Sequence, residues 1–287
     1  HLFTDSMGLD VLASYAALVY AMPVVGGVLA DRYLGMRKAV SFGGLMLVLG
    51  HLGMAYEGHQ AYIAAGEIVR DKQALRIFYL SLSLIIVGVG FLKPNISTMV
   101  GKLYGENDPR RDSGFTIFYM GINSGALCAT LLCGYLGETY GWGYGFGAAG
   151  IGMALGLVVF QAGQSHLQGY AEPPFPEQLK QSSVIGLNKE WTIYLGAIAS
   201  LALIWNMVQQ SHQVEWLLNG LSLVVISGLL YFILNKCDDV ERGRMLVMMV
   251  LIFSTVVFWA LFEQSAASMT LFADRVTDRT LFGADLT

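Results

Sequence analysis

Two charged residues, Lys93 and Glu263, lie inside long apolar runs and are the positions of this sequence best suited to chemistry. A charge near the centre of a bilayer costs several kcal/mol unless it faces protein or water, so each residue predicts a polar functional site. Burial destabilises an ionised carboxylate, so Glu263 could bind a proton near neutral pH and release it when a cation approaches. Lys93 offers the complementary cation for a carboxylate. Snorkelling of Lys93 and a structural role for Glu263 are the alternatives.

The composition predicts a membrane protein. Hydrophobic residues make up 55% of the 287 positions and charged residues 13%, whereas a soluble domain carries roughly a quarter charged residues. The net charge of -4 leaves no basic surplus to bind phosphate backbones, which excludes nucleic acid as a partner. The lipid bilayer is therefore the expected surrounding.

Several runs are long enough to cross a bilayer as helices, since about 30 Å of hydrocarbon takes roughly twenty residues. They cover residues 11–30, 39–56, 77–100, 115–136, 142–161, 191–209, 214–235 and 245–273. No strand periodicity competes with them, and a segment in lipid must satisfy its own backbone hydrogen bonds. The predicted fold class is therefore all-α and polytopic.

The distribution of Lys and Arg predicts the orientation of these helices, because basic residues concentrate in cytoplasmic loops. One set of alternating connections carries Arg32, Arg37, Lys38, Lys102, Arg110, Arg111, Lys180, Lys189, Lys236, Arg242 and Arg244. The opposite set is nearly free of them. Its exception is the connection from Glu57 to Arg76, which also holds Arg70 and Lys72. We expect the first run to end in the cytoplasm and the last to begin there.

Four motifs resemble signatures of the proton-coupled oligopeptide transporters (POT/PTR) of the major facilitator superfamily, in the family's order. They are FLKPNIS at 91–97, FYMGINSG at 118–125, YAMPVVGGVLADRYLG at 20–35 and FWALFEQ at 258–264. The resemblance implies two six-helix bundles, and bacterial members of the family commonly add a helix pair between them.

The resemblance also predicts the domain organisation. Residues 1–163 would be the N-terminal bundle without its first helix, 164–190 a cytoplasmic linker, 191–235 the extra helix pair, and 236–287 the start of the second bundle with helix seven. The chain starts at His1 without an initiator Met or a signal core, so we expect a fragment of the major facilitator fold.

The resemblance implies roles for five residues, each of which could instead be a packing residue. Lys93 and Glu263 would take part in proton coupling and in binding the peptide, with Glu263 near its amino terminus. Tyr20 would bond the peptide backbone, Asn123 would contact its amino-terminal end, and Trp259 would form an aromatic wall. Some relatives carry a second acid at the position of Phe262, so the charge of this pocket is open.

The residues 27–38 resemble the loop that locks the cytoplasmic helix ends of this superfamily. Asp31 and Arg32 are the gate candidates, and a solvated loop with ordinary charges is the alternative. Neither the three cysteines nor His51 and His59 show the spacing of a metal site, so we expect no metal and no cofactor except the coupling proton.

These features predict proton-driven symport of di- and tripeptides by alternating access, performed by a monomer in the bacterial inner membrane. Another small solute, such as nitrate or an amino-acid conjugate, is the alternative within transport. A membrane-embedded enzyme would need a nucleophile with its base or a metal cluster in the apolar runs, and neither spacing occurs. A channel would predict flux that is not coupled to protons. The pair of Lys93 and Glu263 argues against a channel.

Overall fold

The computed structural model of the protein describes residues 3–64, 67–105, 107–167, 169–182, 186–276, 280–281 and 284–285. Its α-helices are α1 (Asp5–Leu29), α2 (Met36–Met54), α3 (Lys72–Lys102), α4 (Arg111–Tyr140), α5 (Trp142–Ala162), α6 (Pro176–Lys180), α7 (Lys189–Val208), α8 (Ser211–Lys236), α9 (Asp239–Phe262) and α10 (Ser268–Arg275). A π-helical turn covers Ala30–Leu34, and 3-10 turns cover Gly163–Leu167 and Glu263–Ala266. The predicted all-α fold class is confirmed.

Two short antiparallel hairpins accompany the helices. Strand β1 (Tyr62–Ala64) pairs with β2 (Glu67–Val69), and β3 (Thr280–Leu281) pairs with β4 (Ala284–Asp285). The first hairpin lies in the connection between α2 and α3, where Asp71 caps α3 by accepting hydrogen bonds from the amides of Gln73 and Ala74. Bonds from backbone amides, including that of His59, lower the pKa of the Asp71 carboxyl.

Seven helical segments of the described chain are long and apolar enough to cross a membrane. They are Asp5–Leu34, Lys72–Lys102, Arg111–Tyr140, Trp142–Leu167, Lys189–Val208, Ser211–Lys236 and Asp239–Ala273. The remaining predicted run corresponds to α2, whose hydropathy is lowered by Arg37, Lys38 and His51. This helix packs between α3 and α5, so much of its surface faces protein.

The chain divides into two compact units, His1–Glu215 and Trp216–Thr287. The boundary between them falls within α8, after its first turn. The four segments predicted from the sequence remain a prediction. Within them, residues 1–2, 65–66, 106, 168, 183–185, 277–279, 282–283 and 286–287 lie outside the described residues.

Glycines let α3 lie close to two neighbouring helices in the first unit. A side chain at Gly43 of α2 would lie 2.6 Å from the carbonyl oxygen of Gly88 of α3. A side chain at Gly26 of α1 would overlap the carbonyl oxygen of Gly90. Small residues at such contacts allow backbones in a membrane to approach and gain packing energy. The contact of α1 with α3 brings the segments that carry Tyr20 and Lys93 together.

Candidate functional site

Lys93 and Tyr20, which were predicted to share a site, are in contact. The ammonium group of Lys93 lies 4.7 Å from the centre of the Tyr20 ring. The face of an aromatic ring is negative, so it attracts a cation without using up the N–H groups of the ammonium. Lys93 comes directly before Pro94, which has no N–H to donate to the carbonyl of Gly90 in the preceding turn. The helix is therefore weakened where α1 approaches it.

Asn123 lies in the middle of α4, on a helix that is exposed over most of its length in the described structure. Its side-chain amide donates a 2.8 Å hydrogen bond to the carbonyl oxygen of Tyr119, one turn earlier. This bond holds the side chain along its own helix and still leaves the amide oxygen as an acceptor. The predicted contact of Asn123 with a peptide remains a prediction.

The structure corrects the expected continuous helix around Glu263. Helix α9 ends at Phe262, and Glu263 begins the 3-10 turn that precedes α10. Ala267, with φ -120° and ψ -105°, separates this turn from α10. One side chain competes here for a backbone acceptor, because the Thr270 hydroxyl donates a 2.6 Å bond to the carbonyl of Ser265. The Ser268 hydroxyl donates to the side-chain oxygen of Gln264.

The interruption places the predicted proton-binding carboxylate at a helix end instead of in a helix centre. Helix ends leave backbone groups without helical partners, and short 3-10 stretches inside helices often mark hinges. The signal in the sequence is the polar cluster Glu263-Gln264-Ser265 with Ser268 inside an apolar run. Our prediction of one helix over residues 245–273 did not take it into account.

Trp259 lies one turn before Glu263 on α9 and belongs to an aromatic cluster. Its ring is 5.3 Å from that of Phe262 and 5.6 Å from that of Phe258, both in edge-to-face geometry. Phe262 also stacks on Phe258 at 5.8 Å. Phe262 therefore packs against the rings of both Trp259 and Phe258.

The gate candidates Asp31 and Arg32 are both exposed in the π-helical turn Ala30–Leu34, before α2 begins. Gly35 follows with a φ of 73°, and the backbone of the linker passes over it, since a side chain at Gly35 would lie 2.6 Å from the carbonyl carbon of Glu172. Both the conformation and the close approach require glycine at this position.

The linker is fastened to α2 by Arg37, which the sequence marked only as a topogenic charge. Its guanidinium donates hydrogen bonds to both carboxylate oxygens of Glu172 and a 3.0 Å bond to Gln164. Its backbone amide donates a 3.0 Å bond to the carbonyl of Ala171. Beside them a buried apolar cluster contains Met36, Val40, Met99 and Ala171.

A second ion pair joins α2 to the start of α7. Lys38 pairs with Glu190 at 2.5 Å, and the Tyr194 hydroxyl donates a 3.3 Å bond to the same carboxylate. The ring of Tyr194 stacks on that of Phe42 at 4.9 Å. Sequence reasoning missed both ion pairs, although acids beside the Pro173-Pro174 turn and at the first turn of α7 were a signal for them.

The ion pair of Arg37 with Glu172 shifts the proton affinities of both groups. Hydrogen bonding to the guanidinium lowers the pKa of the Glu172 carboxyl, and the same bond raises the pKa of Arg37. A similar bond from Arg110 lowers the pKa of Asp108 to about 2 in the connection between α3 and α4. All these groups therefore stay charged over the physiological pH range.

Long apolar helices, with ionisable side chains inside them and ion pairs at their ends, define a polytopic membrane protein. The model of the POT family, PTR2, matches residues 37–284, and the chain belongs to this family. Members of the family are transporters and not enzymes.

Individual relatives agree with this assignment. The chain is 37% identical over 286 residues to an uncharacterized transporter, YclF, of Bacillus subtilis, covering 99% of this chain and 55% of the relative. It is 32% identical to a di-/tripeptide transporter of Lactococcus lactis over 97% of this chain and 54% of that protein. A crystal structure of a peptide transporter POT (E310Q mutant) in complex with alafosfalin matches with a TM-score of 0.76 at 32% identity, covering 99% of this chain and 55% of that one. The chain thus spans about half the length of these relatives.

Proposed function

We propose that the complete protein uses the inward proton gradient to drive uptake of di- and tripeptides by alternating access, as a monomer in a bacterial inner membrane. The observation that carries the proposal is the Lys93 ammonium held over the Tyr20 ring, within two membrane helices. A positioned cation in an apolar layer suits a substrate with a carboxylate end. Membership of the POT family and the peptide-transporting relative support the same class of cargo.

In this proposal, Lys93 binds a carboxylate of the protein in one state and the terminal carboxylate of the peptide in another. The Tyr20 ring orients the Lys93 ammonium and partly offsets the cost of desolvating this cation. The N–H groups of the ammonium remain available as donors. Tyr20 lies 53% exposed in the described chain, so its hydroxyl can also bond a peptide backbone. A carboxylate that binds this cation is favoured in its ionised form, and this couples peptide binding to proton release.

Glu263 acts as the proton switch at the interrupted helix. Protonation removes its charge, which makes the change of facing less costly in the apolar layer. The ionised form attracts the amino terminus of the peptide, with Trp259 as the wall for side chains and Asn123 as a further polar contact. Protons are the coupling ions, and no metal or other cofactor takes part.

The gate lies at the cytoplasmic helix ends. Asp31 and Arg32 stand on the π-helical turn directly before the site where the linker is fastened by Arg37 and Glu172. A movement of this turn is therefore transmitted to the linker, and the reverse also holds. Asp31 and Arg32 would contact the second bundle in one facing of the carrier and release it in the other.

The proposal is tested by uptake of a labelled dipeptide into proteoliposomes that contain the full-length protein, with and without an inward proton gradient. Glu263→Gln is compared with wild type and with Glu138→Gln, a change at an exposed acid near the end of α4. We expect Glu263→Gln to lose gradient-driven uptake but to keep gradient-free exchange, while Glu138→Gln behaves as wild type.

Each other outcome has a definite meaning. Undiminished driven uptake in Glu263→Gln would move the proton site to another residue. No dipeptide uptake by wild type would remove peptides as the substrate and lead to the same assay with nitrate or amino-acid conjugates. Uptake that ignores the gradient would contradict proton coupling.

A further inference from the structure

An apolar groove runs between α3 and α7 near the start of α3. The groove has a volume of about 620 Å³. Apolar side chains of both helices line it, together with Arg76 and Trp205. Leu80 and Ile198 line it and remain 43% and 46% exposed. Both helices are long and apolar enough to span a membrane, so we expect this groove to face lipid.

The groove has a polar end and an apolar end. The indole N–H of Trp205 donates a 3.4 Å hydrogen bond to the backbone carbonyl of Arg76, which ties the two helices together at one level. Leu80 lies one turn beyond Arg76 on α3, and Ile198 lies two turns before Trp205 on α7. With a rise of about 1.5 Å per residue, the groove extends roughly 6 to 10 Å from this tie into the apolar layer.

Two cationic residues, Arg76 and Lys72, lie at the polar end of the groove. Among the described residues, no carboxylate pairs with the guanidinium of Arg76 and none with the ammonium of Lys72. Lys72 precedes Arg76 by four residues and so lies on the same face of α3, one turn nearer to water. The neighbouring Asp71 carboxylate is engaged by backbone amides.

These residues also explain an exception in the charge pattern. Lys72 and Arg76 belong, with Arg70, to a basic connection on the predicted outer side, whereas the connections 137–141 and 210–213 on that side hold no Lys or Arg. Two cations at the membrane surface attract an anionic headgroup, and Trp is typical of the same interfacial level.

We propose that this groove binds an anionic phospholipid. One acyl chain would lie along Leu80, Ile198 and Ala202, the phosphate would bind Arg76, and the headgroup would extend towards Lys72. The lipid would fill the surface between α3 and the first of the extra helices, α7, and so give that helix a role in anchoring lipid. The site does not depend on the transported solute.

The test measures lipid retained by the purified full-length protein after exchange from mixed micelles of phosphatidylglycerol and phosphatidylcholine, by mass spectrometry. Wild type should retain phosphatidylglycerol in preference. Arg76→Gln should reduce its retention about fivefold, the factor that one cation contributes near an anionic lipid surface. Arg76→Lys should retain most of it, and Arg110→Gln, at an exposed arginine in the connection between α3 and α4, should change nothing.

A second variant and a second measurement test the position of the acyl chain. Ala202→Trp should fill the groove and lower retention of the lipid. Phosphatidylglycerol with brominated chains should quench the fluorescence of Trp205 in wild type. This part of the quenching should be absent from Trp205→Phe. Retention unchanged in Arg76→Gln, or equal quenching in Trp205→Phe, would overturn the proposal. Since these readouts need no transport, a failed peptide assay would leave the lipid result unaffected.

Discussion

At the scale of single residues, the contact of the Lys93 ammonium with the Tyr20 ring stabilises a cation inside apolar helices. An unpaired ammonium is costly in hydrocarbon, and a lysine near a helix end would extend to the membrane surface. Lys93 instead lies over the ring of Tyr20, on another helix. Mutation can therefore distinguish the contribution of the Tyr20 ring from that of its hydroxyl.

Tyr20→Leu removes the ring, whereas Tyr20→Phe removes only the hydroxyl. Loss of a cation-π contact of about 1 kcal/mol corresponds to roughly a fivefold effect, so we expect Tyr20→Leu to lower driven dipeptide uptake by that factor. Tyr20→Phe should lower it less if the ring orients Lys93. Initial uptake rates of the full-length variants in proteoliposomes measure the difference. An equal loss in both variants would mean that the hydroxyl carries the effect.

At the scale of elements, the structure shows which parts are tied and which are interrupted. Arg37 ties the linker to α2 through Glu172, and Gly35 allows the two backbones to touch. By contrast, α9 stops at Phe262 and leaves Glu263 in a 3-10 turn. Because Arg37 lowers the pKa of the Glu172 carboxyl, the ion pair between them makes the stability of the protein depend on pH.

Glu172→Gln should destabilise the full-length protein at neutral pH and have no effect in acid. A carboxyl with a depressed folded pKa contributes stability that is present above its unfolded pKa, about 4.3, and lost as the pH falls through the folded value. Partial exposure limits the contribution to about 1 kcal/mol or less. Thermal unfolding from pH 7 downwards measures it, with Glu177→Gln as the control because its ion pair with Lys180 is exposed. A constant difference between wild type and Glu172→Gln at all pH values would refute this.

At the scale of the whole molecule, the orientation in the membrane follows from charge. The connection between α2 and α3 is expected outside despite its basic residues, and the connection between α3 and α4 inside. In this orientation, the lipid site proposed at Arg76 lies at the outer surface of the membrane.

Single cysteines introduced into a full-length chain without native cysteines test the orientation. Gln60→Cys should react with a membrane-impermeant maleimide in intact cells, since Gln60 is exposed in the connection between α2 and α3. Asn107→Cys, exposed in the next connection, should react only after the membrane is opened. The reverse pattern would invert the predicted topology.

Local properties of the sequence determined the class of the protein. Length and apolarity of the runs are sufficient for membrane helices, and the motifs around Lys93, Asn123 and Glu263 were sufficient to indicate the family, which the match over residues 37–284 confirms. These features need no knowledge of contacts, because a helix in lipid satisfies its own backbone.

Only the tertiary structure decided which distant residues meet. Arg37 and Glu172 are far apart in the chain, as are Lys38 and Glu190, and no periodicity specifies such pairs. The interruption at Glu263 was a local feature that hydropathy concealed, because the polar residues there are few within a long apolar run. The sequence therefore determined the helices and their family, while tertiary packing decided the partners of Arg37 and Lys38.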